Sequence, residues 1–433
     1  MSGTRAPLAR PALTLVVSRG ISSLGAALTM FGLDVWVFRN TGSYAAFAML
    51  ALLSSLPALL FAPFAGVIAD RGDKRKLLLA CEVLCLGMVT LDLVAHAAGY
   101  FSLPLVTLTI LLLALMTELR WSLLGATLTL ITPRDQLGRL NGLQQSFRGL
   151  TVMLGPVLGA VSFEAMGLTL LLCINAVTYA IAIAGLSAIR IDAHGAGARP
   201  RYASFRQEIG FGFRWVFAHP GLRRLLLFFM AINIGVSIFT ATFVPYVLSF
   251  SNSKTLAAGL ALQGAGAFCA GILLARRKRA GNHEAAIFGG AIAFGLCMVA
   301  WGVCRRIELL APVALLFGAL STLIMAASNT IWQLHVPAAI QGKVYAVRTV
   351  TSFGLAPLAV LASVPLASGL FAPLLHAATG LAGLWGAGLG GALGMMVSTF
   401  GLLVIGCALL LLAMGGLRLS VPISEPALTG TAS

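Results

Sequence analysis

Long apolar runs alternate with short polar breaks along this chain. Stretches such as "LPALLFAPFAGVIA" and "FGLLVIGCALLLLAMGGL" hold no charged residue. Runs of that kind are too apolar for a water-facing surface and read as membrane helices. Twelve are predicted, over roughly 13–37, 45–69, 77–98, 104–131, 142–165, 168–189, 222–250, 256–275, 285–304, 309–333, 345–370 and 390–415. Each has about 20 residues or more, enough to cross a hydrocarbon core of about 30 Å. The longest polar connection, 190–221, separates the first six runs (1–189) from the last six and a short tail (222–433). Within it, Phe205, Ile209, Phe213, Val216 and Phe217 recur at helical spacing against Arg206 and Arg214. That pattern predicts an amphipathic helix lying on the membrane surface, or a plain tether.

Composition agrees: 59% of residues are hydrophobic and 10% charged, with a mean hydropathy of +0.96. Soluble proteins carry about 25% charged residues. The fold class expected is all-α and polytopic. The net charge of +16 would suit nucleic acid, but its distribution does not. With the N-terminus in the cytoplasm, the exterior loops hold only Arg39, Lys254, Arg305 and Arg306, and Arg120 falls inside a span. About 24 of the 29 basic residues then lie on the cytoplasmic side, as the positive-inside rule requires. The charge orients the chain in a bilayer, with both termini cytoplasmic, and no nucleic-acid partner is expected. "MSGTRAPLAR" precedes the first run without a small-residue cleavage site, so that run is expected to be retained as a signal anchor. The seven cysteines lie in or beside spans without completing a metal set and are expected to be packing residues.

The chain repeats itself. "TPRDQLGRLNGL" and "VPAAIQGKVYAV" share P-x4-G-basic, and Pro133, Gly138 and Arg139 recur 204 residues later as Pro337, Gly342 and Lys343. "GVIADR" at Gly66 is echoed by "GILLAR" at Gly271, offset by 205. Two pairs at nearly one offset imply duplication of a six-helix unit, a design common in secondary transporters.

The break "GVIADRGDKRKLLL" is dense in charge and includes two aspartates, Asp70 and Asp73. Asp70 ends the second run, where its own helix dipole is negative, so something positive must face it. The neighbouring arginines and the N-terminus of the eleventh run, near Lys343 to Arg348, are the candidates. Such a contact would latch the halves together on the cytoplasmic side.

This segment resembles the loop motif G-x-L-A-D-R-x-G-R-K of the major facilitator superfamily, with Gly66, Asp70, Arg71, Lys74 and Arg75 in place and Asp73 where the second glycine would fall. That departure, "HPGLRRLL" after the linker and the two P-x4-G loops are similar to the branch of macrolide-efflux and enterobactin-type siderophore exporters. "GLTVMLGPVLGA" resembles the superfamily's antiporter signature through Gly142, Gly155, Pro156 and Gly159, with Thr151 and Ala160 replacing glycines. The resemblance implies two six-helix bundles in the major facilitator fold, a bacterial inner-membrane location and export.

Charges inside a bilayer are functional candidates by default. The first half offers Asp34, Glu82, Asp92, Glu118 and Arg120, with Glu164 at the end of the fifth run, while the second half is expected to have none within a span, Glu284 and Glu308 lying at helix ends. Glu118 and Arg120 are two residues apart and point about 200° from each other, so they need different partners. Glu118, Arg120 and Asp34 are the candidates for proton coupling or substrate contact. Asp92 and His96 share a face, and Glu82 is expected to pair with the basic loop. In the seventh and tenth runs, which line the cavity in this superfamily, Asn233, Tyr246, Asn329, Trp332 and Gln333 are cavity candidates, with helix–helix hydrogen bonding as the alternative.

The function expected is secondary active export of an amphipathic small molecule, a siderophore, macrolide or similar natural product, by alternating access. The energy source is the proton gradient, with no cofactor, metal or catalytic residue. The expected partners are the substrate, the bilayer and a periplasmic or outer-membrane export component, with the protein itself a monomer. A lipid-like solute flippase or importer, or a non-transporting membrane sensor, remains the alternative.

Overall fold

The computed structural model describes residues 8–41, 60–189, 205–251, 253–276, 282–304, 307–377 and 382–419. Parts of three expectations, the outer part of the second run (42–59), the linker segment 190–204 and the tail 420–433, lie outside them. A chain in lipid must satisfy its backbone internally, and helices do so within one segment. The first half comprises α1 (Arg10–Thr41), α2 (Ala62–Arg71), α3 (Lys74–Ala97), α4 (Leu103–Ile131) and α5 (Leu137–Ser187). A linker helix, α6 (Phe205–Ala218), leads to α7 (Pro220–Leu248), α8 (Ser253–Arg276), α9 (His283–Val303) and α10 (Ile307–His335). Then come α11 (Gln341–Phe353), α12 (Ala356–Leu366), α13 (Ala372–Ala377), α14 (Ala382–Trp385) and α15 (Gly388–Ala413), with a π-helical turn at Ala367–Phe371 between α12 and α13.

Among the described residues, ten helical segments are long and apolar enough to cross a membrane. Of the twelve predicted runs, the second is described only at its inner end, as α2, and the fifth is the first arm of α5. The helical run of α5 breaks at Gly167, whose φ of 68° and ψ of −159° reverse the chain between arms 137–166 and 168–187. Only a residue without a Cβ takes that conformation cheaply.

Local chemistry sets the other boundaries. Asp73 caps α3 by accepting from the backbone N–H groups of Arg75 (2.9 Å) and Lys76 (3.1 Å), which explains an aspartate at a place where a glycine was expected. Pro133 and Pro337 adopt nearly the same conformation (φ −56°, ψ 141° and 137°), and each starts a 3-10 turn that feeds α5 or α11. The two loops of the sequence repeat therefore fold alike.

Each half has its own buried core. One cluster runs from Trp215 to Leu417 and centres on Phe239, Phe294, Trp301, Phe317 and Trp332. Two smaller clusters lie within the first half, around Leu123 and Cys81 and around Ile110 and Leu171. The linker helix forms, and part of its apolar face packs on protein: Trp215 and Val216 are buried in the second-half core, and α11 lies so close that a Cβ on Gly212 would stand 3.1 Å from the Lys343 carbonyl, while Phe217 is exposed. One expectation is corrected: Arg120 is not alone among basic residues within the predicted spans, because Arg19, Arg148 and Arg348 sit in α1, α5 and α11.

Candidate functional site

The halves meet closely at the end of the bundle that carries Arg71, Lys74, Arg139 and Lys343, here called the basic face. Two glycines make the approach possible where α2 crosses α11. A Cβ on Gly66 would overlap the Gly342 carbonyl oxygen and come within 2.8 Å of the Ala346 methyl, and a Cβ on Gly342 would overlap the Gly66 carbonyl oxygen. Backbones this close leave Asp70, one turn beyond Gly66, directly over the start of α11. Its two carboxylate oxygens accept from the N–H groups of Gly342 (2.7 Å) and Lys343 (2.8 Å). A helix start leaves its first N–H groups unpaired and carries partial positive charge, so an anion there is stabilised twice over. Asp70 is 3% exposed, which makes these bonds hard for water to replace.

The other charged residues of the loop have separate tasks. Arg71 reaches the linker helix, donating from Nε (3.1 Å) and Nη2 (2.8 Å) to Glu208 Oε1. Lys343 Nζ stands 3.5 Å from Glu208 Oε2, so one buried carboxylate ties α2, α6 and α11 together. Arg75 instead bonds within its own half, donating to the Ser187 carbonyl at 2.6 Å, at the C-terminal end of α5 where a cation is favoured. Lys74 is buried.

The repeat places a second seam between α5 and α8. A Cβ on Gly271 would overlap the Gly142 carbonyl oxygen, and one on Gly149 would stand 2.8 Å from the Gly264 carbonyl oxygen. The residue 205 places after Asp70 is Ala275, so this seam lacks the carboxylate. Arg139 Nε donates to the Ala275 carbonyl instead, at 3.0 Å. Between the seams, Asn141 Nδ2 on α5 donates to Gln333 Oε1 (2.7 Å) and lies 3.0 Å from Thr330 Oγ1 on α10. Tyr345 of α11 fills the space beside Gly125 of α4. Of the antiporter-like residues, Gly142 serves this seam, whereas Gly155 and Gly159 admit Ala27 and Phe31 of α1. Pro156 lies in the same arm of α5.

The embedded charges sort into paired and unpaired. Arg120 donates to Glu82 at 3.3 Å and to Thr117 at 3.2 Å, and Arg19 stands 3.8 Å from the other oxygen of Glu82. The Arg120 guanidinium also lies 5.8 Å from the centre of the Tyr179 ring. Glu82 therefore serves a buried triad in the first half and not the basic loop, two turns away on α3. Asp92 and His96 do not form a relay: Asp92 accepts from Thr109 (2.9 Å) and His96 pairs with Thr169 (3.3 Å). Arg39 lies over the Phe163 ring. Glu118 and Asp34 are half-buried and make no ion pair among the described residues.

The five cavity candidates are committed to helix packing. Tyr246 is fully buried, and its hydroxyl proton is shared among the carbonyls of Trp301, Gly302 and Cys304 at 2.9–3.0 Å. Asn233 donates to the Ser352 carbonyl (3.0 Å). Asn329 accepts from Arg348 (2.8 Å), whose guanidinium lies over the Trp332 ring, and Gln333 is the partner of Asn141. Sequence reasoning missed Glu208, Arg19 and Arg348. A carboxylate on the apolar side of α6 was the one available signal for Glu208.

Comparison with known proteins places this geometry in context. The sequence model of the Major Facilitator Superfamily matches residues 15–361. Macrolide efflux protein A of Streptococcus pyogenes is 25% identical over 224 residues, which cover 49% of this chain and 53% of that protein. The chain thus spans about half the length of the curated relatives it matches. In fold, it is similar to a bacterial homologue of the iron transporter ferroportin in its outward-facing state, with a TM-score of 0.67 at 13% identity, covering 93% of this chain and 99% of the other. The E. coli fucose:proton symporter FucP superimposes with a TM-score of 0.64 at 11% identity, covering 92% and 98%.

Proposed function

The chain belongs to the Major Facilitator Superfamily, and from that premise we propose that it exports an amphipathic small molecule from the bacterial cytoplasm by alternating access, in exchange for protons. The basic face is the cytoplasmic one, with both termini on that side, in keeping with its arginines and lysines. One observation carries the reading: the Asp70 carboxylate of one half holds the N-terminus of α11 in the other. This contact is polar, joins the two halves and can break without unfolding either. The matching place on the second seam has no carboxylate, so the latch is one-sided and α2–α11 is the edge that opens. The closed cytoplasmic seam corresponds to a state that receives protons and releases substrate outside.

Similarity to macrolide efflux proteins supports a macrolide as substrate, and a siderophore of comparable size and polarity is the second choice. Glu118, embedded and without an ionic partner, is the proton-coupling group in this reading, and Asp34 stands in the same condition nearer the opposite face. The test is uptake of radiolabelled erythromycin into inverted membrane vesicles under an imposed proton gradient, with a catecholate siderophore in parallel. Uptake that collapses with an uncoupler and in Glu118→Gln supports the reading. Uptake unaffected by the gradient rules out proton exchange, and uptake only into right-side-out vesicles makes the protein an importer.

A further inference from the structure

Arg148 is an embedded cation that neither the latch nor the buried triad uses. It lies 11 residues into α5, about 16 Å from the start of that helix and so near the middle of the bilayer. Its side chain is exposed. Its helix face gives the direction. Arg148 stands two turns beyond Asn141, about 10 Å further along the same stripe, and Asn141 points across to Thr330 and Gln333 of α10. Arg148 therefore looks into the space between the halves, above the layer that closes it.

The protein supplies no counter-ion there. No salt bridge or hydrogen bond of Arg148 occurs among the described residues. The acidic residues of the whole chain explain why. From residue 222 onward they are Glu284, Glu308 and Glu425, and Glu284 and Glu308 stand in the first turns of α9 and α10. The segment 42–59 contains none. Before residue 222, Glu82 is taken by Arg19 and Arg120, Asp92 by Thr109, Asp70 by α11, Asp73 by the start of α3 and Glu208 by Arg71 and Lys343. Asp192 lies outside the described residues, and of Asp34, Glu118, Asp135 and Glu164 none bridges to Arg148. A lone guanidinium at this depth is costly to insert. A buried structural arginine in this protein looks different: Arg120 and Arg348 are closed in by acceptors and rings.

We infer that Arg148 is the seat for an anionic group, a carboxylate or its equivalent, on the molecule this protein moves. The planar guanidinium suits a carboxylate bidentately. The carboxylate of Glu118 on α4 then suits a cationic group elsewhere on the same ligand, which makes a zwitterionic amphiphile the best fit. This inference rests on the transport reading, and because a macrolide such as erythromycin carries an amine but no carboxylate, it moves the substrate choice toward a siderophore or other acid-bearing amphiphile.

The test uses the purified full chain in nanodiscs and two dyes, rhodamine B with its free carboxylate and its ethyl ester. Fluorescence anisotropy gives both affinities. Wild type is expected to bind the free acid roughly tenfold or more tighter than the ester. Arg148→Ala abolishes that preference without weakening ester binding, and Arg148→Lys keeps part of it. Because Arg148 holds no protein acceptor, Arg148→Ala melts no lower than wild type, whereas a structural arginine would leave partners unsatisfied and lower the melting temperature. No preference in wild type, or a preference that persists in Arg148→Ala, overturns the inference. Transport of both dyes into proteoliposomes separates the two readings. Ester transport without acid preference leaves export standing and sinks the anion seat. Acid preference in binding without transport of either dye does the reverse.

Discussion

Replacing Asp70 by Asn isolates the latch. The carboxylate accepts two backbone N–H groups at 2.7 and 2.8 Å, one per oxygen, while 3% exposed. Hydrogen bonds to a charged group contribute about 1.5–3 kcal/mol each, against about 1 kcal/mol for a neutral pair. Asparagine keeps one oxygen, so one bond weakens, and its NH2 meets an N–H donor where the other bond was. The loss falls only on the closed form, because in the open form both groups are solvated. The expected cost is about 2–4 kcal/mol, a roughly thirty- to thousand-fold fall in the closed-to-open ratio. Double electron–electron resonance between spin labels at Lys76→Cys and Arg276→Cys, exposed residues on opposite halves, reads this ratio. The exposed Cys173 and Cys269 are first replaced by Ser. Wild type should give one short distance, and Asp70→Asn a dominant longer one. Identical distributions in the two proteins would show that the Asp70 bonds do not hold the seam, and the latch argument would be wrong.

Other variants probe other parts of the account. Gly342→Ala places a Cβ against the Gly66 carbonyl oxygen, so the same spin-label pair should report the longer distance and transport should stop; a short distance would mean that the glycine crossing is not needed. Glu82→Gln leaves Arg19 and Arg120 without their carboxylate and should destabilise the protein by about 3–5 kcal/mol, read as a clear drop in melting temperature. An unchanged melting curve would argue against the triad. Tyr246→Phe removes one shared hydrogen bond between α7 and the end of α9, costing about 1 kcal/mol of stability while leaving substrate affinity unchanged. A large loss of affinity would return Tyr246 to the cavity wall.

Much of the architecture is legible in the sequence because the bilayer leaves few options. An uncharged run of sufficient length has to be a helix, and the P-x4-G-basic repeat marks two loops that fold alike around Pro133 and Pro337. The meeting of Asp70 with the start of α11 is also legible, since a carboxylate at a helix C-terminus requires a positive partner and the repeat points to few. Pairings that depend on which helix faces adjoin are not. Glu82 sits eight residues along α3 from Lys74, and its partners are decided by α1 and α4 across the bundle. Glu208 lies between two apolar positions of a linker helix, and nothing local indicates that Arg71 and Lys343 flank it. Tyr246, Asn233 and Asn329 carry the polar groups expected of a cavity wall, yet the same groups satisfy backbone carbonyls or Arg348. Polar residues in a membrane helix serve either purpose, and only the fold decides.

Transport in proteoliposomes of known orientation tests the central claim most directly. Radiolabelled substrate would be followed across the bilayer while the proton gradient is imposed in either direction, for wild type and Asp70→Asn. The account predicts movement from the basic face to the opposite face, driven by protons entering from that opposite face, and little movement in the variant. Net movement toward the basic face, or equal rates in the two proteins, would contradict it.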